Sequence, residues 1–95
     1  EYGILGETEN GTQAEYIIVD PINIYTMPDL LTYEEAASMS LVFMTAYQML
    51  IKRAKLYSDE IVLVYGGTSG VGSAAIQICR EFGEHSDRKI LANNF

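Results

Sequence analysis

The 95-residue sequence has little cysteine and no long apolar run, and each absence excludes a class of structure. Cys79 is its only cysteine, so the chain can form neither an internal disulfide nor a multi-cysteine zinc site of its own. No apolar stretch approaches the roughly 18 to 20 residues that span a bilayer, and residues 1–11 lack the basic and apolar segments of a signal peptide. We therefore expect no membrane partner and a cytoplasmic location.

Positive charge is also scarce. Six lysine and arginine residues stand against 13 aspartate and glutamate residues, which gives a net charge of -7 at pH 7. The few cations are scattered or in short groups, so no face of the molecule is expected to attract a phosphate backbone. We expect no nucleic-acid partner, and the acidic balance by itself indicates no substrate.

The remaining composition is that of a globular protein, 48% hydrophobic and 20% charged. Its first third favours β-structure. Residues 12–19 are rich in β-branched and aromatic side chains, and residues 22–27 alternate apolar and polar side chains. Pro21 and Pro28 punctuate these segments. The sequence predicts two short strands here.

A helix is predicted to begin after Thr32. Thr32 and Glu35 have the spacing of a capping box, in which each side chain accepts a hydrogen bond from the backbone amide of the other residue. Good helix formers continue from residue 36 to about residue 54. The Ser38-Met39-Ser40 stretch leaves two shorter helices open as an alternative.

The rest of the chain alternates strand and helix patterns. The apolar run at residues 61–65 is unbroken, which is typical of a strand buried on both faces of a parallel sheet. Residues 71–82 carry apolar side chains at helical spacing, and Gly83 suits a left-handed helix end. Residues 89–92 resemble a further strand. These patterns predict an α/β protein with a parallel sheet.

A glycine-rich turn, Gly66-Gly67-Thr68-Ser69-Gly70-Val71-Gly72, joins the apolar run to the following helix. Gly67 is predicted to make the tight turn out of the strand, Gly70 to begin the helix, and Gly72 to let helix and strand approach closely. Free amides at the N-terminus of that helix, together with its dipole, favour a pyrophosphate.

One position of this turn departs from the G-x-G-x-x-G pattern of dinucleotide-binding proteins. Ser69 stands where that pattern has its middle glycine, and it either donates to a phosphate or moves the ligand outward. A P-loop is excluded because no Gly-Lys-Ser/Thr follows. A glycine-rich turn that binds nothing is the alternative interpretation.

The order of these motifs resembles the medium-chain dehydrogenase/reductase superfamily. The motifs are the turn at Gly67–Gly72 and the segments Thr12-Gln13-Ala14-Glu15-Tyr16, Thr32-Tyr33-Glu34-Glu35-Ala36-Ala37 and Thr45-Ala46-Tyr47-Gln48. The resemblance covers about residues 3–83 and implies a larger parent of two domains. Residues 1–40 would be the C-terminal part of a GroES-like β-rich catalytic domain. Residues 41–95 would be the N-terminal part of a Rossmann dinucleotide-binding domain.

The resemblance also implies the residues of the site. It places Thr45 near the nicotinamide ring as the candidate catalytic residue, although a helix threonine that bonds back to a carbonyl is an equal alternative. We expect Tyr47 and Cys79 to serve packing and His85 to lie in a solvated loop. Cofactor contacts are implied for Gly67, Thr68, Ser69, Gly70, Val71, Gly72 and Asn93.

Two further positions bear on metal and cofactor choice. Leu41 stands where zinc-dependent members of the superfamily carry a zinc ligand, and a leucine side chain has no lone pair to offer a metal. We therefore predict no metal ligand in this chain, and zinc could enter only through residues outside it. Residues 91–94 contain no Asp or Glu to take the ribose hydroxyls of NAD, so NADP(H) is favoured over NAD(H). Arg88 and Lys89 are either phosphate partners or exposed charges.

The leading hypothesis is a fragment of an oxidoreductase that transfers a hydride between NADP(H) and a small carbonyl, quinone or enone. A zinc-dependent alcohol dehydrogenase, a non-catalytic cofactor-binding relative and an inactive truncated product remain alternatives. The expected partner is a small-molecule substrate, and the resemblance implies a homodimer for the full-length parent.

Overall fold

The computed structural model describes residues 3–57, 60–82 and 90–93. Their elements are a short 3-10 helix at Pro21–Asn23, helix α1 at Tyr33–Tyr47 with a π-helical extension at Gln48–Arg53, strand β1 at Val62–Tyr65, helix α2 at Gly70–Glu81 and strand β2 at Ile90–Asn93. None of these helices is long and apolar enough to cross a membrane. The predictions for Gly83, His85, Arg88 and Lys89 lie outside the described residues.

Strands β1 and β2 form a parallel two-stranded sheet, with pairs running from Val62 and Ile90 to Tyr65 and Asn93. Helix α2 follows β1 in the chain and contacts both strands. A strand, a helix and a second strand parallel to the first make up the repeating unit of a Rossmann sheet. The predicted α/β class with a partial Rossmann unit is therefore confirmed.

The core lies where α2 packs against β1 and α1. The apolar spacing predicted for α2 is confirmed at Ala74, Ala75 and Ile78, which are buried, whereas Phe82 at its end is half-exposed. Cys79 is also buried, as expected for a packing residue. Among the described residues, the buried hydrophobic ones are Ala46, Val64, Ala74, Ala75, Ile78 and Cys79.

Helix α1 begins as predicted. The Thr32 hydroxyl accepts from the Glu35 amide at 3.2 Å, and the Glu35 carboxylate accepts from the Thr32 amide at 2.9 Å. The alternative break at residues 38–40 does not occur. The Ser38 hydroxyl donates to the Glu35 carbonyl at 2.7 Å, so it is satisfied without leaving the helix. The helix also runs without interruption through residue 40, where the domain division was predicted.

The two strands predicted at residues 12–19 and 22–27 were wrong. No strand forms there, and Pro21–Asn23 makes a 3-10 helix capped by the Asp20 carboxylate. Tyr16 and Ile18 are 89% and 99% exposed. A strand needs a neighbouring strand to take its backbone hydrogen bonds, and the described residues supply none for this segment. The Cα radius of gyration is correspondingly large, 16.0 Å, against about 12 Å for a compact domain of this length.

The burial predicted for both faces of β1 was also wrong. Val64 is buried, but Leu63 and Tyr65 on the opposite face are 51% and 69% exposed. Successive side chains of a strand point to opposite faces, and the helices cover only one of them. The described residues contain no second layer for the other face.

Helix α2 approaches the end of β1 so closely that Gly72 has no room for a side chain. A Cβ there would clash with the Gly66 carbonyl oxygen and would lie 2.9 Å from the Gly66 carbonyl carbon and 3.0 Å from the Gly67 Cα. All three atoms belong to the backbone, so no rotamer change relieves the contact. The close approach of helix and strand that was predicted at Gly72 is confirmed.

We predict that Gly72→Ala destabilises the chain by about 1–3 kcal/mol, because overpacking outweighs the gain of about 1 kcal/mol in helix propensity. Urea unfolding followed by circular dichroism measures the change. Ser73→Ala on the exposed side of the same turn is the matched control and should shift the free energy of unfolding by less than about 0.5 kcal/mol. Equal effects of the two substitutions would contradict this packing.

Lys55, beyond the π-helical extension, has φ +53°, the only positive φ among the described non-glycine residues. A left-handed conformation costs a side-chain-bearing residue about 1–2 kcal/mol, and glycine avoids that cost. We predict that Lys55→Gly stabilises the chain by about 0.5–1 kcal/mol. Lys52→Gly, within the helical extension, should instead destabilise it by about 1 kcal/mol. Thermal unfolding of both variants tests the sign of each stability change. A loss of stability in both variants would contradict the prediction.

Candidate functional site

The glycine turn lies at the carboxyl edge of the sheet. β1 ends at Tyr65 and β2 at Asn93, and these two residues are paired. The Asn93 carbonyl accepts hydrogen bonds from the amides of Gly66 and Gly67, at 2.8 and 3.2 Å. The end of the second strand therefore holds the turn that follows the first. Ligands of open α/β sheets bind at this edge.

The tight turn out of β1 is made by Gly66 rather than by Gly67. Gly66 has φ +68°, a conformation that glycine adopts without strain, whereas Gly67 has no positive φ and is buried. The prediction for Gly67 was wrong because two consecutive glycines leave the choice open. Only the backbone conformation of the folded chain shows that Gly66 makes the turn.

Ser69 caps helix α2. Its hydroxyl oxygen accepts from the Gly72 amide at 3.1 Å, and its own amide donates to the Gly66 carbonyl at 2.9 Å. Serine is one of the preferred N-cap residues because its oxygen satisfies an amide that the helix leaves unpaired. The departure from the glycine pattern thus has a structural role. A serine directly before a helix pattern is a signal from which this cap could have been predicted.

Other amides of the turn remain open to a ligand. In the part of the chain that the structure describes, the amides of Thr68, Gly70 and Val71 have no protein acceptor. The helix of a β-α-β unit directs such amides, and the positive end of its dipole, at the sheet edge. Gly70 begins α2, as predicted. This arrangement can hold an anion such as a phosphate or pyrophosphate.

Thr45 lies on α1, with its side chain exposed. Its hydroxyl donates to the Leu41 carbonyl one turn earlier, at 2.9 Å. This is the back-bonded geometry of the alternative interpretation, and it leaves lone pairs of the hydroxyl oxygen unused. The role of Thr45 beside a nicotinamide ring stays a prediction.

Tyr47 belongs to the contact between α1 and α2. Its ring lies 6.1 Å from that of Phe82 in a tilted arrangement, and the Lys52 ammonium is 6.0 Å from the ring centroid. These contacts, near the end of α2 remote from the glycine turn, use the ring for packing. The packing role expected for Tyr47 fits this position.

Helix α1 also reaches the glycine turn itself. A Cβ on Gly70 would lie 3.0 Å from the Val42 Cγ1, so the absent side chain leaves the space that Val42 fills. Sequence reasoning missed Val42 because it belongs to no motif and lies 28 positions from Gly70 in the chain. No sequence signal pairs these two residues.

Leu41, which bears on metal binding, and Asn93, which bears on cofactor choice, are both exposed. Leu41 presents an apolar side chain on α1. Within residues 3–57, 60–82 and 90–93, no three His, Cys, Asp or Glu side chains come together as a metal site. Asn93, at the end of β2, lies beside the turn, and no carboxylate side chain occurs in β2. The contacts of Asn93 and of the turn residues with a cofactor stay predictions.

Two concave regions of the described surface lie elsewhere. One is formed within residues 3–23, and the other lies between residues 23–31 and the first part of α1. Neither contains Thr45, Asn93 or a residue of the glycine turn. The turn is an exposed edge in this chain, with Thr68, Ser69 and Gly70 all accessible.

Comparison with curated proteins gives a similar quinone oxidoreductase, a zinc-type alcohol dehydrogenase-like protein and a reducing polyketide synthase. The chain is 38% identical over 76 residues to the quinone oxidoreductase of Homo sapiens, which aligns 80% of the chain with 23% of that protein. It is 40% identical over 79 residues to a zinc-type alcohol dehydrogenase-like protein of Schizosaccharomyces pombe, covering 83% and 24%. A reducing polyketide synthase of Hypomyces subiculosus is 42% identical over 73 residues, covering 77% of the chain and 3% of that protein.

Among solved structures, the chain is similar to an alcohol dehydrogenase superfamily protein from Novosphingobium aromaticivorans. The TM-score is 0.64 at 37% identity, over 72% of this chain and 19% of the other. No family model matches the chain. The chain spans about a quarter of the length of the quinone oxidoreductase and of the zinc-type relative. The glycine turn, the β-α-β unit and these similarities together show that the chain belongs to the medium-chain dehydrogenase/reductase superfamily.

Proposed function

We propose that the chain is the cofactor-binding junction of a larger oxidoreductase, which transfers a hydride between NADP(H) and a small carbonyl, quinone or enone. The observation that carries the proposal is the set of open amides at Thr68, Gly70 and Val71, aimed from the N-terminus of α2 at the carboxyl edge of a parallel sheet. The similarity to quinone oxidoreductases supports the reaction class. The small share of each relative that the chain spans supports a larger parent.

The turn fits the pyrophosphate of a dinucleotide. Open amides of the turn supply hydrogen-bond donors, and the dipole of the 12-residue helix α2 adds a partial positive charge. Thr68 adds a hydroxyl beside these amides. Gly67 and Gly72 are buried and make the close approach of α2 to the sheet, which sets the direction of the donors.

The two ends of the dinucleotide would meet different elements. Asn93 at the end of β2 lies where a ribose of the adenosine half would sit, and an amide side chain there does not repel a 2′-phosphate. Thr45 on α1 would orient the nicotinamide half through its hydroxyl oxygen or its backbone. When bound, the nicotinamide supplies the hydride chemistry, and this chain's residues bind and orient it.

A zinc-dependent alcohol dehydrogenase is the second candidate, favoured by the name of the Schizosaccharomyces pombe relative. Leu41 offers no ligand, so a catalytic zinc would need residues outside this chain. We place the protein in the cytoplasm and expect a homodimer for the full-length parent. The isolated 95 residues, with their small core and many exposed apolar side chains, are proposed to be inactive.

The full-length protein that carries this chain is expected to oxidise NADPH in the presence of quinones or enones. The measurement is the loss of nicotinamide absorbance against a panel of such substrates, with metal content determined on the same sample. Stoichiometric zinc that is required for turnover would favour a zinc-dependent alcohol dehydrogenase. Tight NADPH binding without turnover of any substrate would instead identify a non-catalytic relative.

Asn93→Asp is expected to lower the preference for NADPH over NADH by about tenfold, because its carboxylate would repel a 2′-phosphate and accept from ribose hydroxyls. Fluorescence titration of the full-length protein with both cofactors measures the ratio of the two Kd values. Asn23→Asp is the matched control, since it adds the same charge at an exposed position of the 3-10 helix, which is not part of the turn. A change of equal size in both variants would contradict a contact at Asn93.

A further inference from the structure

The contact between Val42 and Gly70 joins the two elements that hold the proposed cofactor. Val42 lies on α1, less than one helical turn before Thr45, and Gly70 is the first residue of α2. Under the proposed function, on which this inference rests, one dinucleotide touches both the glycine turn and Thr45. The distance between Thr45 and the glycine turn therefore depends on how α1 packs against α2.

We propose that Val42 is a positioning residue, which sets the spacing between Thr45 and the glycine turn so that a single dinucleotide reaches both. A Cβ on Gly70 would lie 3.0 Å from the Val42 Cγ1 and 3.9 Å from the Val42 Cβ. Apart from the neighbouring residues and backbone of its own helix, it would come within 4 Å of no other described atom. The space that Gly70 leaves open thus faces α1. In this chain the missing side chain of Gly70 allows helix α1 to approach the glycine turn.

The core residues beside this contact are tightly packed. Ala46, the next residue of α1 on the same face, and Ala74 of α2 are each only 1% exposed, and both belong to the core. Valine in a helix is confined to one strongly preferred rotamer. A larger side chain at the contact is relieved by movement of α1, and Thr45 moves with it as part of the same continuous helix.

The consequence is specific to a ligand that spans the two helices. Adenosine 2′,5′-bisphosphate can occupy only the adenosine side of the turn, and reduced nicotinamide mononucleotide only the Thr45 side. A shift of α1 by a few tenths of an ångström leaves each half-site intact and changes the distance between them. A residue needed only for folding would affect the two halves and the dinucleotide alike.

The test compares Gly70→Ala, Val42→Ala and the double variant in the full-length protein. We expect Gly70→Ala to weaken NADPH binding by roughly three- to tenfold, and to lower kcat, through misplacement of the two ends. Binding of either half should change by less than about twofold. In the double variant the shortened side chain at position 42 removes the clash, so NADPH affinity should return to that of Val42→Ala. Gln77→Ala, on the exposed side of α2, is the control substitution.

Val42→Ile adds one methyl group at the same contact with Gly70 intact, and it is expected to act in the same direction if Gly70→Ala fails to fold. Weaker binding of adenosine 2′,5′-bisphosphate to Gly70→Ala would overturn the proposal, because the new methyl group would then obstruct the phosphate itself. Absence of rescue in the double variant would also overturn it. If the wild-type protein binds NADPH and the variants bind it equally well, the role of Val42 is refuted and the proposed function is not. A wild-type protein that binds no dinucleotide refutes the proposed function as well.

Discussion

The close approach of α2 to the end of β1 is the constraint on which the rest of this structure depends. Because Gly72 lacks a side chain, the first turn of α2 lies directly against the backbone of Gly66 and Gly67. The helix can then begin at the sheet edge, and its unpaired amides open there. The Asn93 carbonyl completes the arrangement by accepting from two amides of the turn. A helix held farther away would leave the same amides pointing past the sheet.

Helix α1 is organised around the same point. Val42 fills the space beside Gly70, and Ala46 is buried against α2. The glycines of the turn thus have three separate physical tasks, which are a left-handed turn at Gly66, contact with the sheet at Gly72 and contact with a second helix at Gly70. The proposed function explains why these tasks occur together, since a dinucleotide needs a donor-lined edge and a nearby element for its reactive end.

The strand and burial predictions that failed share one cause. The strand patterns at residues 12–19 and 22–27 and the continuous apolarity of β1 each describe surfaces suited to a neighbour. Ile18 and Leu63 are exposed because no described part of the chain covers them. A pattern of side chains records which faces are suited to burial, whereas burial itself requires a second element in place. The family resemblance was nevertheless correct, because it depends on the order of motifs along the chain and not on which faces are buried.

The sequence by itself determined the local features of this protein: the capping box at Thr32, the apolar spacing of α2, the alternation of strand and helix, and the glycine turn that contributes to the superfamily resemblance. Each of these depends on interactions between residues a few positions apart, which spacing along the chain records. Only the tertiary structure decided that Gly66 rather than Gly67 makes the left-handed turn, and which contacts hold the turn: those of Asn93 with its amides and of Val42 with Gly70. Those contacts join residues far apart in sequence, and the geometry with which two helices and a sheet pack brings them together.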